Sequence, residues 1–420
     1  MSGSAWVDVW MDPRVASNGL GVRETGQHRR VRSCWAGHSR TGYTTRSGRG
    51  AARFPLRWNQ SDDTHEGPTL PPPPLPSCLP LPGVTAVLLR TRQSCCWHLQ
   101  RCILSMMSTV NWVVAGIGDI ARRRVLPAIL AERHSALYGL VTRDKSKAED
   151  YPGARAWSTL EEALYDSAVD AVYIALPVAM HADAAIAALR AGKHVLCEKP
   201  MAMSDAQAGK MVAEAQASGR LLGVSYYRRL YPKLIRAKQL IAAGAIGQPL
   251  LAEANCHSQP PAAERGWLFD PAMAGGGPLY DIASHRIDAM NFFFGKAERA
   301  CGILSNAVHR TDVEDSATVV MKFQGGVHGI VDVRWNSRVA RDQFRVIGSE
   351  GELGLDPLNG PELRVGGQVE MLPPHANLHY PLVSNFVDAI VSNSPAGITC
   401  SGEQGRWVDW TIEQVVRSQK

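Results

Sequence analysis

Hydrophobic and polar positions along the chain follow two regimes that meet near residue 110. Upstream, Gly, Ser, Arg and Pro dominate and no helical or strand period is sustained. Pro71-Pro72-Pro73-Pro74 opens a proline-rich run to Pro82 that suits polyproline II rather than a packed element. From Asn111 onward, short apolar runs alternate with helical patterns. The runs predict strands at 111–115, 136–141, 171–176, 194–197 and 221–224. Apolar residues at three- and four-residue spacing predict helices at 121–132, 159–165, 182–191 and 205–217. This alternation predicts an α/β fold, a doubly wound parallel sheet of Rossmann type. Its near-continuous apolar strands fit a sheet covered on both faces.

After about Tyr226 the alternation stops. A helix at 233–243 precedes a strand at 250–256, then a helix at 279–294 and strands at 317–323, 327–335 and 343–347. Helices at 380–391 and 402–419 close the chain. The pattern predicts an α+β region with a largely antiparallel open sheet, onto which the last helices return. The expected division is 1–107, 108–226 and 227–420. Pro127 breaks the pattern of the first helix and predicts a kink there.

Charge sharpens the division. The net charge of +6 separates into +7 for residues 1–105, which contain no Lys, and −1 for the rest. The basic excess belongs to the first segment. There the arginines follow no stripe, period or recognisable module, so no nucleic-acid partner is expected. Burial cannot offset the ordering entropy of such a segment. It is expected to be a disordered extension, or a stretch ahead of a true start at Met106 or Met107. No apolar run is long enough to span a membrane, and none resembles a signal peptide. The nine cysteines contain no CxxC spacing and do not form a disulfide framework. The expected setting is the cytoplasm, without membrane contact.

Candidate chemistry begins where the first strand runs into Gly116-Ile117-Gly118-Asp119-Ile120-Ala121. This is a GxGxxA loop between a strand and a helix, the context a dinucleotide pyrophosphate needs. Gly116 permits the turn, Gly118 the close approach of phosphate, and Ala121 the helix–strand packing. The second strand ends in Val141-Thr142-Arg143-Asp144. Thr142 and Arg143 can hold a 2′-phosphate, which favours NADP. If Arg143 instead stacks on adenine while Asp144 takes the ribose, the cofactor is NAD.

Two further passages carry an identity. One runs from Asp170 through Leu176-Pro177 and His181 to Glu198-Lys199-Pro200. The other is Gly275-Gly276-Gly277-Pro278-Leu279-Tyr280-Asp281-Ile282-Ala283-Ser284-His285-Arg286-Ile287-Asp288. With the glycine loop, these resemble the Gfo/Idh/MocA oxidoreductases from about Val110 to the end of the chain. The lesser run Val313-Glu314-Asp315-Ser316 fits the same resemblance. It implies 108–226 as the dinucleotide-binding domain and 227–420 as the substrate and oligomerisation domain. It also implies Lys199 as acid/base residue, with Asp281 and His285 beside it. Cofactor contacts are expected from the glycine loop, Leu176, Pro177, His181, Glu198, Lys199 and Arg228. Tyr227 and Trp267 are expected to wall the substrate, although a core Trp is an equal alternative.

Elementary chemistry agrees. Oxidising an alcohol by hydride transfer needs a proton acceptor at the hydroxyl, and carbonyl reduction needs a donor at the same place. Lys199 lies beyond a strand's carboxyl end, where open α/β sheets place ligands. Asp281 and His285, four residues apart, would share one face of a helix. No metal is expected, since hydride transfer to nicotinamide needs none. The expected activity is an NAD(P)-dependent dehydrogenase or reductase acting on a sugar, polyol, cyclitol or diol, as a homodimer or homotetramer. The alternatives are a non-catalytic NAD(P)-sensing regulator of the same fold and a redox glycosidase that retains NAD.

Overall fold

The computed structural model describes residues 109–420, so the expectation for the first segment lies outside them. Six parallel strands form the first sheet: β1 Val110–Ala115, β2 Ser135–Val141, β3 Arg155–Trp157, β4 Ala171–Ile174, β5 His194–Cys197 and β6 Leu222–Val224. Their spatial order is β3-β2-β1-β4-β5-β6. Strand order reverses between β1 and β4, which opens a crevice at their carboxyl ends. Helices α1 Leu126–Ala131, α2 Leu160–Leu164, α3 His181–Arg190 and α4 Asp205–Ser218 connect the strands. Both faces are covered, so β4 is buried at every position. Helix α4 starts at a Ser204 side chain that accepts from the Gln207 N–H and stops at Gly219 in the left-handed region.

Pro127 is accommodated without breaking the helix. The first turn, Ala121–Val125, is π-helical, and the α-helical part begins at Leu126. Pro127 follows directly on this wider turn, at the second position of the α-helical part. The strand expected to reach Leu176 ends at Ile174, because the chain turns at Leu176-Pro177.

The second sheet has eight strands in the order β14-β13-β12-β11-β7-β10-β9-β8. They are β7 Pro249–His257, β8 Ala297–Ser305, β9 Ser316–Phe323, β10 His328–Arg334, β11 Arg341–Gly348, β12 Glu352–Gly354, β13 Glu362–Val365 and β14 Gln368–Met371. All neighbours pair antiparallel except β7 with β10. Helices α5 Pro232–Ala242, α6 Pro271–Ala274, α7 Ser284–Phe294, α8 Tyr380–Val391 and α9 Gly402–Arg417 complete this half. Residues 284–291 of α7 are all buried. A Cβ on Gly329 of β10 would strike Met290 of α7, so helix and sheet pack at van der Waals contact.

Helix α9 bridges the two sheets, packing on α4 and β6 and also on β8 and α7. Arg406 holds Asp205 at 2.7 Å, and Glu413 accepts the Asp205 N–H at 2.9 Å. Among the described residues, no helix is long and apolar enough to cross a membrane.

Candidate active site

The first wall of the crevice is the glycine loop. Gly116 has φ +96°, and a Cβ there would lie 2.6 Å from the Ala175 carbonyl oxygen. Only glycine fits, since both the backbone conformation and the neighbouring strand end forbid a side chain. At Gly118 a Cβ would meet nothing within 4 Å, so the space before it is open to a ligand. The loop fits the pyrophosphate it was expected to hold. Ile117 is buried, and Ile120 is half-buried. Asp119 is exposed and paired with Arg123 at 2.7 Å.

At the end of β2, Thr142 closes a small turn with Asp144. Its Oγ1 accepts the Asp144 N–H at 3.2 Å and donates to the Asp144 carbonyl at 3.0 Å. The Asp144 carboxylate turns away to accept the N–H and hydroxyl of Ser146, and those bonds hold it below the usual carboxylate range. Arg143 is exposed and forms no ion pair among the described residues.

Leu176 and Pro177 follow β4. The Leu176 side chain would lie 3.2 Å from a Cβ on Gly116, so it borders the glycine loop. His181, expected at the cofactor, is turned inward. Its two ring nitrogens sit 2.8 Å from the Leu176 carbonyl and 3.0 Å from the Pro200 carbonyl. It pins the two loops together rather than facing the crevice.

Glu198, read as orienting Lys199 or contacting the nicotinamide ribose, is engaged on the protein side. Its Oε1 accepts from the Tyr173 hydroxyl (2.7 Å), the Ser225 hydroxyl (3.2 Å) and His379 (3.2 Å). Its Oε2 takes the Lys199 N–H at 3.2 Å. Burial opposes its ionisation. The His379 hydrogen bond and charge, the Tyr173 hydroxyl and the Lys199 charge outweigh that and hold it at about 2.

Lys199 is mostly buried and projects toward the second sheet's helix. Its Nζ donates to Asp281 Oδ1 at 2.9 Å and to the Asp281 carbonyl at 3.0 Å. Asp281 lies in a π-helical turn, Leu279–Ala283, that precedes α7. Its carboxylate pairs with Lys199. Burial would raise the Asp281 carboxyl, but Lys199, Arg265 at 3.7 Å and Arg286 hold it at about 2. His285 is buried against Tyr227, ring centroids 5.4 Å apart. Burial, with Arg228, Lys199 and Arg286 nearby, pushes its imidazole well below the usual range. It is neutral at physiological pH. Asp281 Oδ2 and His285 Nδ1 are buried without a hydrogen-bond partner among the described residues. Two such atoms beside a lysine ammonium fit substrate hydroxyls, which would satisfy both.

Tyr227 and Arg228 follow β6. The Arg228 guanidinium lies 4.9 Å from the Tyr227 ring centroid, and its Nε donates to Asn359 Oδ1 at 2.9 Å. Trp267 is 39% exposed, next to Arg265, so the core alternative fails for it. Asp288 is structural. It forms a buried bidentate pair with Arg229, at 2.7 and 3.1 Å.

Comparison with known proteins agrees with this architecture. Residues 110–226 match the oxidoreductase family model with an NAD-binding Rossmann fold, and residues 234–354 match the GFO/IDH/MocA C-terminal domain. A 1,5-anhydro-D-fructose reductase of Ensifer adhaerens is 32% identical over 71% of this chain and 92% of its own. The chain belongs to the Gfo/Idh/MocA oxidoreductase family. Mouse trans-1,2-dihydrobenzene-1,2-diol dehydrogenase is 29% identical over 63% of this chain and 80% of its own. The crystal structure of an aldose-aldose oxidoreductase from Caulobacter crescentus, complexed with glycerol, superposes with a TM-score of 0.67. It is 25% identical and covers 74% of this chain and 97% of that one. GenD2 from gentamicin A biosynthesis, in complex with NAD, is 26% identical with a TM-score of 0.64, covering 74% and 95%.

In this family member, some positioning residues escape sequence reasoning. Glu314 accepts the N–H groups of Gly277 and Leu279, each at 2.9 Å, and so fixes the turn that presents Asp281. A Cβ on Gly277 would lie 2.1 Å from the Glu314 carbonyl, which explains the glycine. The signal was present in the Val313-Glu314-Asp315-Ser316 run, but no local pattern assigned it a partner. Arg265 and His379 had no local signal.

The depressed carboxyls make a stability prediction. Glu198 and Asp281 each titrate near 2 when folded, below their usual 4.5 and 3.8. Their stabilisation is therefore complete above about pH 5 and is lost as pH falls toward 2. Each contributes at most about 3 kcal/mol. Urea melts across that window should show stability falling steeply in the wild type. The fall should be shallower in Glu198→Gln; equal slopes would contradict the assignment.

Proposed function

We propose that this chain moves a hydride between NADP and a carbinol or carbonyl carbon of a sugar, polyol, cyclitol or diol. The observation that carries the reading is the Lys199–Asp281 pair beyond β5, beside the β1/β4 crevice, with Asp281 Oδ2 and His285 Nδ1 beside it lacking a hydrogen-bond partner among the described residues. When bound, the nicotinamide supplies the hydride acceptor for oxidation or the donor for reduction. Gly116 to Ile120 would hold the pyrophosphate, and Leu176 and Pro177, which border that loop, would contact the cofactor. In oxidation Lys199 acts as the free amine, which takes the hydroxyl proton as the carbon gives up its hydride; in reduction the ammonium returns that proton to the carbonyl oxygen. Asp281 orients the lysine, and neutral His285 receives a substrate hydroxyl. Tyr227 and Trp267 wall the substrate. The relatives' names, a sugar reductase and a diol dehydrogenase, support the substrate class.

NADP is favoured because Arg143 is exposed and forms no ion pair among the described residues, while the Asp144 carboxylate is engaged by Ser146. Arg143→Ala should raise KM for NADP roughly 10- to 100-fold and leave KM for NAD nearly unchanged. An equal change for both would overturn the NADP assignment. The reading extends to a dimer or tetramer in the cytoplasm. In the second sheet, Val320 pairs with Cys301 and with Ile330 across neighbouring strands, and both Val320 and Ile303 are exposed. That outer face is where a second copy would pack.

The test is a turnover screen of NADP and NAD against aldoses, ketoses, inositols and diols. Reduction of the nicotinamide by at least one carbinol is expected. No turnover with any class, in protein shown to bind the cofactor, would remove the proposal. The intact Lys199, Asp281 and His285 set argues against a regulator that only senses the cofactor.

A further inference from the structure

His379 lies beyond both stretches matched by the family models, directly ahead of α8. It is completely buried. Its Nε2 lies 3.2 Å from Glu198 Oε1, across 181 residues of sequence. An ionised carboxylate only accepts, so Nε2 carries the proton and donates. The other side of the ring packs on Tyr227, centroids 4.8 Å apart. Tyr227 in turn packs on His285. One imidazole therefore touches the carboxylate that receives the Lys199 N–H and the ring that backs His285.

We propose that His379 is a positioning residue for the reaction: it fixes Glu198, and through Glu198 the backbone at Lys199, while bracing Tyr227 against His285. The inference rests on the function proposed above for Lys199. It differs from a packing role because a hydrocarbon of equal size would support Tyr227 but could not donate to Glu198. The surroundings of Glu198 explain why that donor matters. Tyr173 comes from β4, Ser225 follows β6, His181 begins α3, and Cys197 and Lys199 flank it in the chain. His379 is the donor that the C-terminal part of the chain contributes. Burial by itself would drive this carboxyl toward the neutral form. With His379 removed, Glu198 should take up a proton at higher pH, lose its hold on the Lys199 N–H, and let the lysine drift. A shift of about 1 Å at a reacting group can cost roughly 100-fold in rate.

The experiment compares His379→Ala with His379→Gln, whose amide nitrogen stands near the place of Nε2. In the alanine variant kcat should fall roughly 10- to 100-fold, with cofactor affinity little changed. The acid limb of the pH–rate profile should move to higher pH. The glutamine variant should recover most of the rate and restore the profile. A second readout is independent of turnover. The carboxyl-carbon NMR signal of Glu198, followed with pH, should titrate roughly one unit or more higher in the alanine variant than in the wild type. An unmoved titration would overturn the inference whatever the kinetics show. So would equal losses in both variants with an unaltered pH profile, which would mark a packing role. Wild-type protein inactive on every substrate class would instead remove the function proposed for Lys199, and the titration would still decide for His379.

Discussion

Replacing Lys199 with alanine is expected to lower kcat roughly 10²- to 10⁴-fold, the usual worth of a positioned acid/base group. Cofactor binding should survive, because the glycine loop, Thr142 and Arg143 lie on other strand ends. Lys199 follows β5, beside the crevice where β1 and β4 reverse the strand order. Its ammonium is anchored on Asp281 by two hydrogen bonds. Alanine removes the proton acceptor and also leaves Asp281 buried beside Arg265, its next cation at 3.7 Å. Small primary amines added to the variant should restore part of the rate. Stopped-flow measurement of a single turnover checks this directly, since it separates the chemical step from product release. Wild-type rates in the variant would end the proposed role.

The second large effect is on stability. Asp288→Ala should destabilise the protein by about 3–5 kcal/mol, because it strands a buried guanidinium. Arg229 and Asp288 are each 1% exposed and share three hydrogen bonds, at 2.7, 3.0 and 3.1 Å. Arg229 stands in the turn after β6, and Asp288 lies on α7 beneath the second sheet. The pair thus ties the turn that follows the first sheet to α7. Arg229 also donates to the Thr399 carbonyl at 3.2 Å. Total stabilities run to only about 5–15 kcal/mol, so this single loss should bring unfolding close to working temperatures. The double variant Arg229→Met, Asp288→Leu should regain much of that loss, since apolar partners of similar volume leave no charge uncompensated. Chemical denaturation of the two variants reads both numbers. Equal destabilisation of single and double variants would show that the pair's geometry, not its charge, is what the fold needs.

Much of the first sheet was legible in sequence because its strands are buried on both faces and read as unbroken apolar runs. The strand Arg155–Trp157 was missed. It is short, at the sheet edge, and largely exposed, so no hydrophobic pattern marks it. The strand Ala297–Ser305 was missed for a related reason. It is the other sheet's edge, with Glu298 and Arg299 exposed near its start. The short strands Glu352–Gly354, Glu362–Val365 and Gln368–Met371 are stitched by cross-strand bonds that no local pattern announces.

The candidate site divides along the same line. Gly116 could be read from its motif because one backbone position has one physical demand, and the structure meets it with φ +96°. The spacing of Asp281 and His285 pointed to one helix face, but the Lys199 bond to Asp281 spans 82 residues of sequence, and no helical period announces it. Glu198 and His181 stood out by motif, but the groups that hold them could not be read from it. Their partners, the Pro200 carbonyl and His379, come from chain neighbours and from a segment 181 residues away. Long-range polar contacts of this kind have no period.

The most direct test of the account follows a carbon-bound deuterium. A polyol or sugar found active in the screen is deuterated at its carbinol carbon and given to the enzyme with oxidised cofactor. The reduced nicotinamide is then weighed by mass spectrometry, with wild type and Lys199→Ala run side by side. The account predicts full transfer of the label to the nicotinamide by the wild type, and the same transfer at a greatly reduced rate in the variant. Reduced cofactor without deuterium, or an unchanged rate in the variant, would contradict it.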